Sequence, residues 1–270
     1  MAQAPIAITS LGANVFMLSG PGGNTVVFNG SDGKIVIDGF VEPAWPQLNK
    51  TLNEIGQAPI RMVINTHWHL DHTDNNANFR RAGATIIAHE NTKKRLSEVH
   101  EVFGMRVGPA AEDALPTHVL KRSETVRANG ESIELGPVPP GHTDTDLYVR
   151  FVKANVLCTG DVFWNASYPF FDPGTGGSIN GIIAAAKMML GMINTATKIV
   201  PGHGPLGDRA AVEAFINMLM TVRNRVKKLK AEGKTLDTVL TLKPSADFDE
   251  HWASPLVLPT AFVANVYNTL

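Results

Sequence analysis

The chain has 270 residues, 44% of them hydrophobic, enough to bury one large core. That length suits one domain or two small ones, and one domain over residues 1–270 is the expectation. Twenty-four Lys and Arg against 25 Asp and Glu give a formal net charge of −1, so no basic excess exists to neutralise phosphates and a dedicated nucleic-acid binder is disfavoured.

No run approaches the ~18 apolar residues of a membrane span. The basic cluster Arg223, Arg225, Lys227, Lys228 and Lys230 falls on a helical pattern and reads as a solvated helix face. Cys158 is the single cysteine, so no intrachain disulfide is expected.

Short strands separated by glycine-rich turns are expected over 15–18, 24–28 and 34–38. A helix follows over 42–55, with Pro43 near its start and Gly56 just past its end. Residues 61–65 form an apolar strand; a helix over 75–81, closed by Gly83, and a strand over 84–88 come next. Further strands are expected at 132–135, 147–152, 156–159 and 198–200, with a helix over 179–191. A long helix fits 208–232, where Asp208 is the N-cap and Val212, Phe215, Ile216, Leu219, Val222 and Val226 form an apolar stripe. The last thirty residues read as terminal helices packed on the outside. Two strand-rich halves, each with helices, predict two sheets face to face with helices outside. The connections 97–120 and 163–177 are long enough to be walls of a site.

The run His67-Trp68-His69-Leu70-Asp71-His72 packs three imidazoles and a carboxylate into six residues, a crowding that points to a metal. It leaves the C-terminal end of a strand. Gly141-His142-Thr143-Asp144, Thr159-Gly160-Asp161 and Pro201-Gly202-His203-Gly204 each follow an extended segment, so all four could meet at one edge of the sandwich. Alone, His142, Asp161 and His203 would read as turn residues; beside the six-residue run they become candidate ligands. His67 and His69 share one face of an extended segment, which sends Trp68 the other way, into packing. A turn at Leu70 brings Asp71 and His72 to a neighbouring position and gives two ligand pairs. Imidazole and carboxylate suit zinc, iron or manganese, with zinc the default. Asn65, Thr66, Thr73, Asp74, Thr143 and Asp144 lie near enough to accept the ligands' second N–H groups. His89, His100, His118 and His251 have no motif around them and read as structural or surface residues, and Cys158 reads as a buried structural thiol.

These four linked motifs, in order and at matching spacing over most of the chain, resemble the metallo-β-lactamase superfamily. The resemblance implies an α/β fold, a four-layer αββα sandwich of two mixed β-sheets flanked by helices, with two metal ions at one edge. It implies that His67, His69 and His142 bind the first ion and that Asp71, His72 and His203 bind the second. Asp161 matches the bridging aspartate of glyoxalase II-like hydrolases. Two zinc ions about 3.5–4 Å apart can share a hydroxide at neutral pH. The expected chemistry is its attack on a small ester, thioester, lactone or β-lactam, with Asp71 as the catalytic carboxylate that orients it and shuttles its proton.

The ligand set resembles that of the third lactamase subclass, and Asp161 stands where the first subclass has a cysteine. The loop after Asp161 offers Asn165, Ser167 and Tyr168 but no Lys or Arg before Lys187 to meet a lactam carboxylate, which weakens the β-lactam reading. The aromatics Phe163, Trp164, Tyr168, Phe170 and Phe171 are either a pocket wall or packing.

Residues 67–96 and 155–207 resemble a broad bacterial metallohydrolase group near the sulfur-oxidation and quinoprotein-relay proteins. Two other readings stand beside the zinc hydrolase. One is a mononuclear iron enzyme resembling the persulfide dioxygenases, using His67, His142 and Asp161; the other is a non-catalytic metal-binding protein. The expected partner is a small-molecule substrate, with no nucleic acid and no membrane, and the oligomeric state is not readable. Bacterial periplasm and cytoplasm both stay open, because Ala2-Gln3-Ala4 has the small-x-small pattern of a signal cleavage site.

Overall fold

The computed structural model describes residues 5–102 and 104–270, so Ala2-Gln3-Ala4 lies outside the described residues. The first sheet begins with β1 (Ala7–Gly12), β2 (Val15–Gly20), β3 (Gly23–Phe28), β4 (Lys34–Ile37), β5 (Ile60–Ile64) and β6 (Thr85–His89). A separate hairpin follows, β7 (His100–Val102) and β8 (Met105–Val107), before β9 (His118–Leu120) returns to the first sheet beside β6. The sheet runs β1-β2-β3-β4-β5-β6-β9, antiparallel up to β4 and parallel from β4 to β9.

The second sheet holds β10 (Glu124–Ala128), β11 (Glu131–Pro137), β12 (Leu147–Phe151), β13 (Val156–Cys158) and β14 (Lys198–Val200) in that order, with only β13–β14 parallel. The helices are α1 (Trp45–Ile55), α2 (Leu70–Thr73), α3 (Asn76–Arg81), α4 (Glu90–Leu96), α5 (Ile179–Leu190), α6 (Arg209–Ala231), α7 (Leu236–Thr241), α8 (Asp249–Trp252) and α9 (Pro259–Asn268).

Period-2 alternation explains the layers, because successive side chains leave opposite faces of a strand. Val26, Phe28, Ile35, Ile37 and Ile64 face the second sheet, where Ile133, Leu135, Val149, Phe151 and Cys158 meet them. Between them in sequence, Val27, Val36 and Val63 face outward onto Leu48 and Leu52 of α1 and Phe79 of α3. On the other side Leu157 and Ile199 face outward onto Ile182 and Ile183 of α5 and Phe215, Leu219 and Val222 of α6. The central strands are therefore apolar on both faces, as strands covered on both sides must be. The architecture is the expected αββα sandwich, and Cys158 is the expected buried thiol.

The differences from the sequence reading fall mainly at edges. Two unpredicted strands, β1 and β10, sit at the outer edges of the two sheets and expose alternate or successive residues, so their hydrophobic pattern is thin. Helix α4 carries the polar sequence ENTKKRL and owes its start to His89, whose ring accepts the Asn91 N–H. The connection 97–120 is not one loop: it holds β7, β8 and β9. The long helix begins where expected, with the Asp208 carboxylate accepting the Ala211 N–H.

Phe28 and Phe151 meet edge-on across the two sheets with ring centroids 5.5 Å apart. Phe151→Ala should destabilise the protein by about 3–5 kcal/mol in urea denaturation. A cost under about 1 kcal/mol would contradict this placement at the centre of the inter-sheet core.

Candidate metal centre

All four motifs leave strand ends at one edge of the sandwich. The histidine run follows β5 and turns into α2, His142 lies between β11 and β12, Asp161 follows β13, and His203 follows β14. Hydrogen bonds hold these loops together. Leu147 N–H bonds Thr66 O at 2.7 Å, Trp68 N–H bonds Thr145 Oγ1 at 3.1 Å, and Asp172 N–H bonds His142 O at 2.8 Å. Asn24 at the start of β3 clamps the last loop, donating from its backbone to Gly202 O and from its amide to Pro201 O and Gly204 O. The carboxylate of Asp146 collects the N–H groups of Gly141, His142 and Thr143. Gly202 must lack a side chain, because a Cβ there would overlap the Asp161 carboxylate.

The geometry yields three overlapping donor clusters: His67, His69 and His142; His67, His72 and Asp161; and Asp71, His72 and His203. Asp161 joins them. Its carboxylate lies 3.9 Å from His67 Nε2, 3.4 Å from His142 Nε2, and 3.2 Å from both His72 Nε2 and His203 Nε2. Asp71 Oδ2 lies 3.3 Å from His203 Nε2 and 3.5 Å from His72 Nε2. All seven residues singled out in the sequence are thus brought together. Trp68 points away, buried against Leu96 and Val107 as expected.

The outer hydrogen bonds decide which ring nitrogens face inward. His142 Nδ1 donates to Phe170 O at 2.8 Å, and His69 Nε2 faces Asp172 Oδ2 at 3.4 Å. Thr66 gives its hydroxyl proton to Asp38 Oδ2 at 2.7 Å, so its oxygen accepts from His67 Nδ1 at 3.2 Å. These outer contacts leave His67 Nε2, His69 Nδ1 and His142 Nε2 facing inward. His142 Nε2 and His69 Nδ1 approach to 2.8 Å, where one ring donates to the other unless a cation takes both lone pairs. The buried atoms His67 Nε2, His72 Nε2 and Asp161 Oδ1 have no hydrogen-bond partner of acceptable geometry. A buried polar atom without a partner is costly, and a metal ion removes that cost.

Charge points the same way. Asp38, Asp161 and Asp172 are buried and Asp71 is half-buried, and among the described residues no Lys or Arg pairs with any of them. Burial pushes His142 down to about 4 and His67 well below its ordinary value, so both rings are neutral at pH 7. Burial also opposes charge on His203 and His72. The carboxylates outweigh it, raising His203 to about 9 (Asp161 and Asp71) and His72 well above its ordinary value (Asp71, Asp38 and Asp161). Burial likewise opposes ionisation of Asp71, and His72 and His203 overcome it, holding that carboxyl well below the usual range. The donor set, imidazoles and carboxylates without a Lys or Arg partner, fits a metal cation.

Of the six expected outer partners, Thr66 alone contacts a candidate ligand's ring. Asn65 donates to His72 O, and Thr73 donates to Trp68 O and His69 O, bracing backbone instead. Asp144 pairs with Arg95, Asp74 accepts the Glu42 N–H, and Thr143 bonds Asp146. Asp38 is the chief omission, holding His72 Nδ1 at 2.9 Å together with Thr66 N and Oγ1. Its signal was an acidic residue ending an apolar strand at the site's edge. It sits at φ +62°, a conformation a non-glycine residue keeps only when its surroundings hold it. Asp172 and the Phe170 carbonyl were also unforeseen.

Asn165, Ser167 and Tyr168 do not face the site. They bond Pro205 O, the Ser254 hydroxyl and the Asp249 carboxylate respectively. The aromatic loop divides. Trp164 and Phe170 line a cleft of about 320 Å³ over the donor atoms, while Phe163, Tyr168 and Phe171 are core. His89 caps α4, His100 lies on Trp68, and His118 pairs with Glu124.

The chain belongs to the metallo-beta-lactamase superfamily, whose sequence profile matches residues 18–206. It is 31% identical over 146 residues to a hydroxyacylglutathione hydrolase of Polaromonas sp., covering 53% of this chain and 48% of that protein. It therefore spans about half the length of that relative. It is 28% identical over 185 residues to a probable metallo-hydrolase of Methanocaldococcus jannaschii, covering 66% of this chain and 85% of that protein.

Among solved structures, a metallo-beta-lactamase from Pontibacter korlensis superposes with a TM-score of 0.68 at 18% identity, over 80% of this chain and 99% of that one. A sec-alkylsulfatase from Pseudomonas sp. superposes with a TM-score of 0.75 at 16% identity, over 97% of this chain and 50% of that one. At such identities these two show the fold. Superfamily, relatives and donor cluster together fit a metal-dependent hydrolase.

Two outcomes follow. Asp38→Ala removes the acceptor that orients His72 and Thr66, so zinc affinity should fall about 10–100-fold in chelator competition; unchanged affinity would contradict the role. Below about pH 9 the metal-free protein keeps a proton on His203, which a cation must displace. Metal affinity should therefore rise with pH up to that point, about tenfold per unit for each proton released. Calorimetry in buffers of different protonation enthalpy reads the release, and proton-neutral binding at pH 7 would refute it.

Proposed function

We propose that this chain is a dinuclear zinc hydrolase acting on a small ester, thioester, lactone or lactam. In this reading His67, His69 and His142 hold the first ion, Asp71, His72 and His203 hold the second, and Asp161 lies between them. The position of Asp161, within 3.9 Å of histidines from both sets, carries the proposal. A single iron on His67, His142 and Asp161 would leave the cluster of Asp71, His72 and His203 without a task. A carrier without catalysis would not need donors that open onto a substrate-sized cleft.

When bound, the metal supplies Lewis-acid polarisation and lowers the pKa of water to about 7. The chain's residues supply the rest. Asp71 has 27% of its side chain exposed and lines the cleft, so its carboxylate is placed to meet a water and accept its proton in the attacking step. Its carboxylate can take the proton from water and return it to the leaving oxygen, sulfur or nitrogen. Asp38, Asp172 and the Phe170 carbonyl fix the ring orientations, which keeps the inward nitrogens in place before substrate arrives. Trp164, tilted against His203 with centroids 4.1 Å apart, and Phe170 restrict water at the mouth.

Asp71→Ala should lower kcat/KM by about 10²–10⁴-fold on whichever of these substrates the native protein hydrolyses, and should halve the zinc bound per chain. Full activity in that variant would overturn the role given to Asp71.

A further inference from the structure

We infer that the substrate's acyl or alkyl portion is apolar and uncharged, an inference that rests on the hydrolase reading only for the reaction, not for the ligand class. The cleft above the donor residues is walled by Val41, Leu70, Val102, Trp164, Phe170 and Leu256. Among the described residues no Lys or Arg lines it. The polar groups in it are the candidate metal donors themselves: His69, Asp71, His142, Asp161 and His203.

Arg95 and Arg106 line a separate cavity of about 360 Å³ that shares Trp68, Leu70 and Val107 with the cleft. Arg95 is already committed, with two nitrogens on the two oxygens of Asp144 at 3.2 and 2.6 Å.

This arrangement separates substrate classes. A tripeptide thioester carries carboxylates that need cationic or hydroxyl partners, and a lactam carboxylate needs the same. The side chains after Asp161 that could have served a carboxylate, Asn165, Ser167 and Tyr168, are engaged inside the fold. Away from the donor cluster, an anionic tail would be desolvated against apolar walls with no Lys or Arg among the described lining residues. A hydrocarbon chain would instead gain by leaving water. Leu70 and Leu256, 38% and 68% exposed, extend the apolar surface to the rim, which is where such a chain would first land. The volume is at the small end for ligand pockets, which fits a short or medium chain.

The reaction on such a substrate is balanced by water alone. The acyl C–O bond breaks, the acyl carbon gains OH, and the leaving oxygen gains the proton; a lactone opens to a hydroxy acid.

The test is binding of neutral N-methyl alkanamides, from acetamide to octanamide, to the zinc-loaded protein, followed by tryptophan fluorescence. Affinity should rise about fourfold per added methylene until the cleft is full. An N-methyl amide of equal length whose far end carries a sulfonate, a poor zinc ligand, should bind about tenfold more weakly or worse. Leu256→Arg, at an exposed rim position, should strengthen that anionic ligand about two- to fivefold and leave the fold intact. Flat affinity along the series, or tighter binding of the anionic chain to the native protein, would overturn the inference. If the series behaves as expected while no ester, thioester, lactone or lactam is hydrolysed, the ligand class stands and the hydrolase reading falls.

Discussion

Everything at this site depends on one constraint: seven donor side chains are crowded into a buried space, several with no hydrogen-bond partner, and the fold must hold them there before a cation does. His142 Nε2 and His69 Nδ1 lie 2.8 Å apart, and Asp161 sits within 3.9 Å of four histidines. A flexible loop would relax away from such contacts. Here four of the seven candidate ligands, His72, His67, His69 and His142, are held from behind by Asp38, Thr66, Asp172 and the Phe170 carbonyl, and three of the four loops are held from the side by Asn24, Asp146 and Thr145. The αββα sandwich makes this practical, because β4, β5, β13 and β14 all deliver their following residues to the same edge, and their own packing is settled far from it.

The electrostatic division inside the site follows from that layout. Burial pushes His142 and His67 toward neutrality, and neighbouring histidines add to it against the pull of Asp161. Histidines packed among carboxylates are pushed toward the cation, as His72 and His203 are. One centre therefore contains a neutral nitrogen-rich half and a half whose negative charge waits for a proton or a metal. The cleft above adds a third environment, with apolar walls and no Lys or Arg among the described lining residues.

The central strands were legible because both their faces are buried and their apolar runs are nearly continuous. The long helix was legible because an N-cap and a clean stripe coincide in Asp208 and Val212 through Val226. Edge strands β1 and β10 were not, since half or more of their side chains meet solvent and carry no hydrophobic signature. Helix α4 was hidden by a polar sequence and a histidine cap. The seven candidate ligands were visible as local motifs because each lies in a tight turn with a glycine or a second ligand nearby. Their supports were not, because Asp38 lies 34 residues from His72 and Asp172 lies 103 from His69, and such pairings exist only once the chain has folded. The aromatic loop shows the same limit: composition announced five rings, but only folding sorted Trp164 and Phe170 to the cleft and the others to the core.

The most direct test of the account is the metal content of protein purified without added metal, read by elemental mass spectrometry with native mass spectrometry of the intact chain. Two zinc ions per chain are the predicted result. One iron per chain, with the residues Asp71, His72 and His203 free of metal, would contradict it.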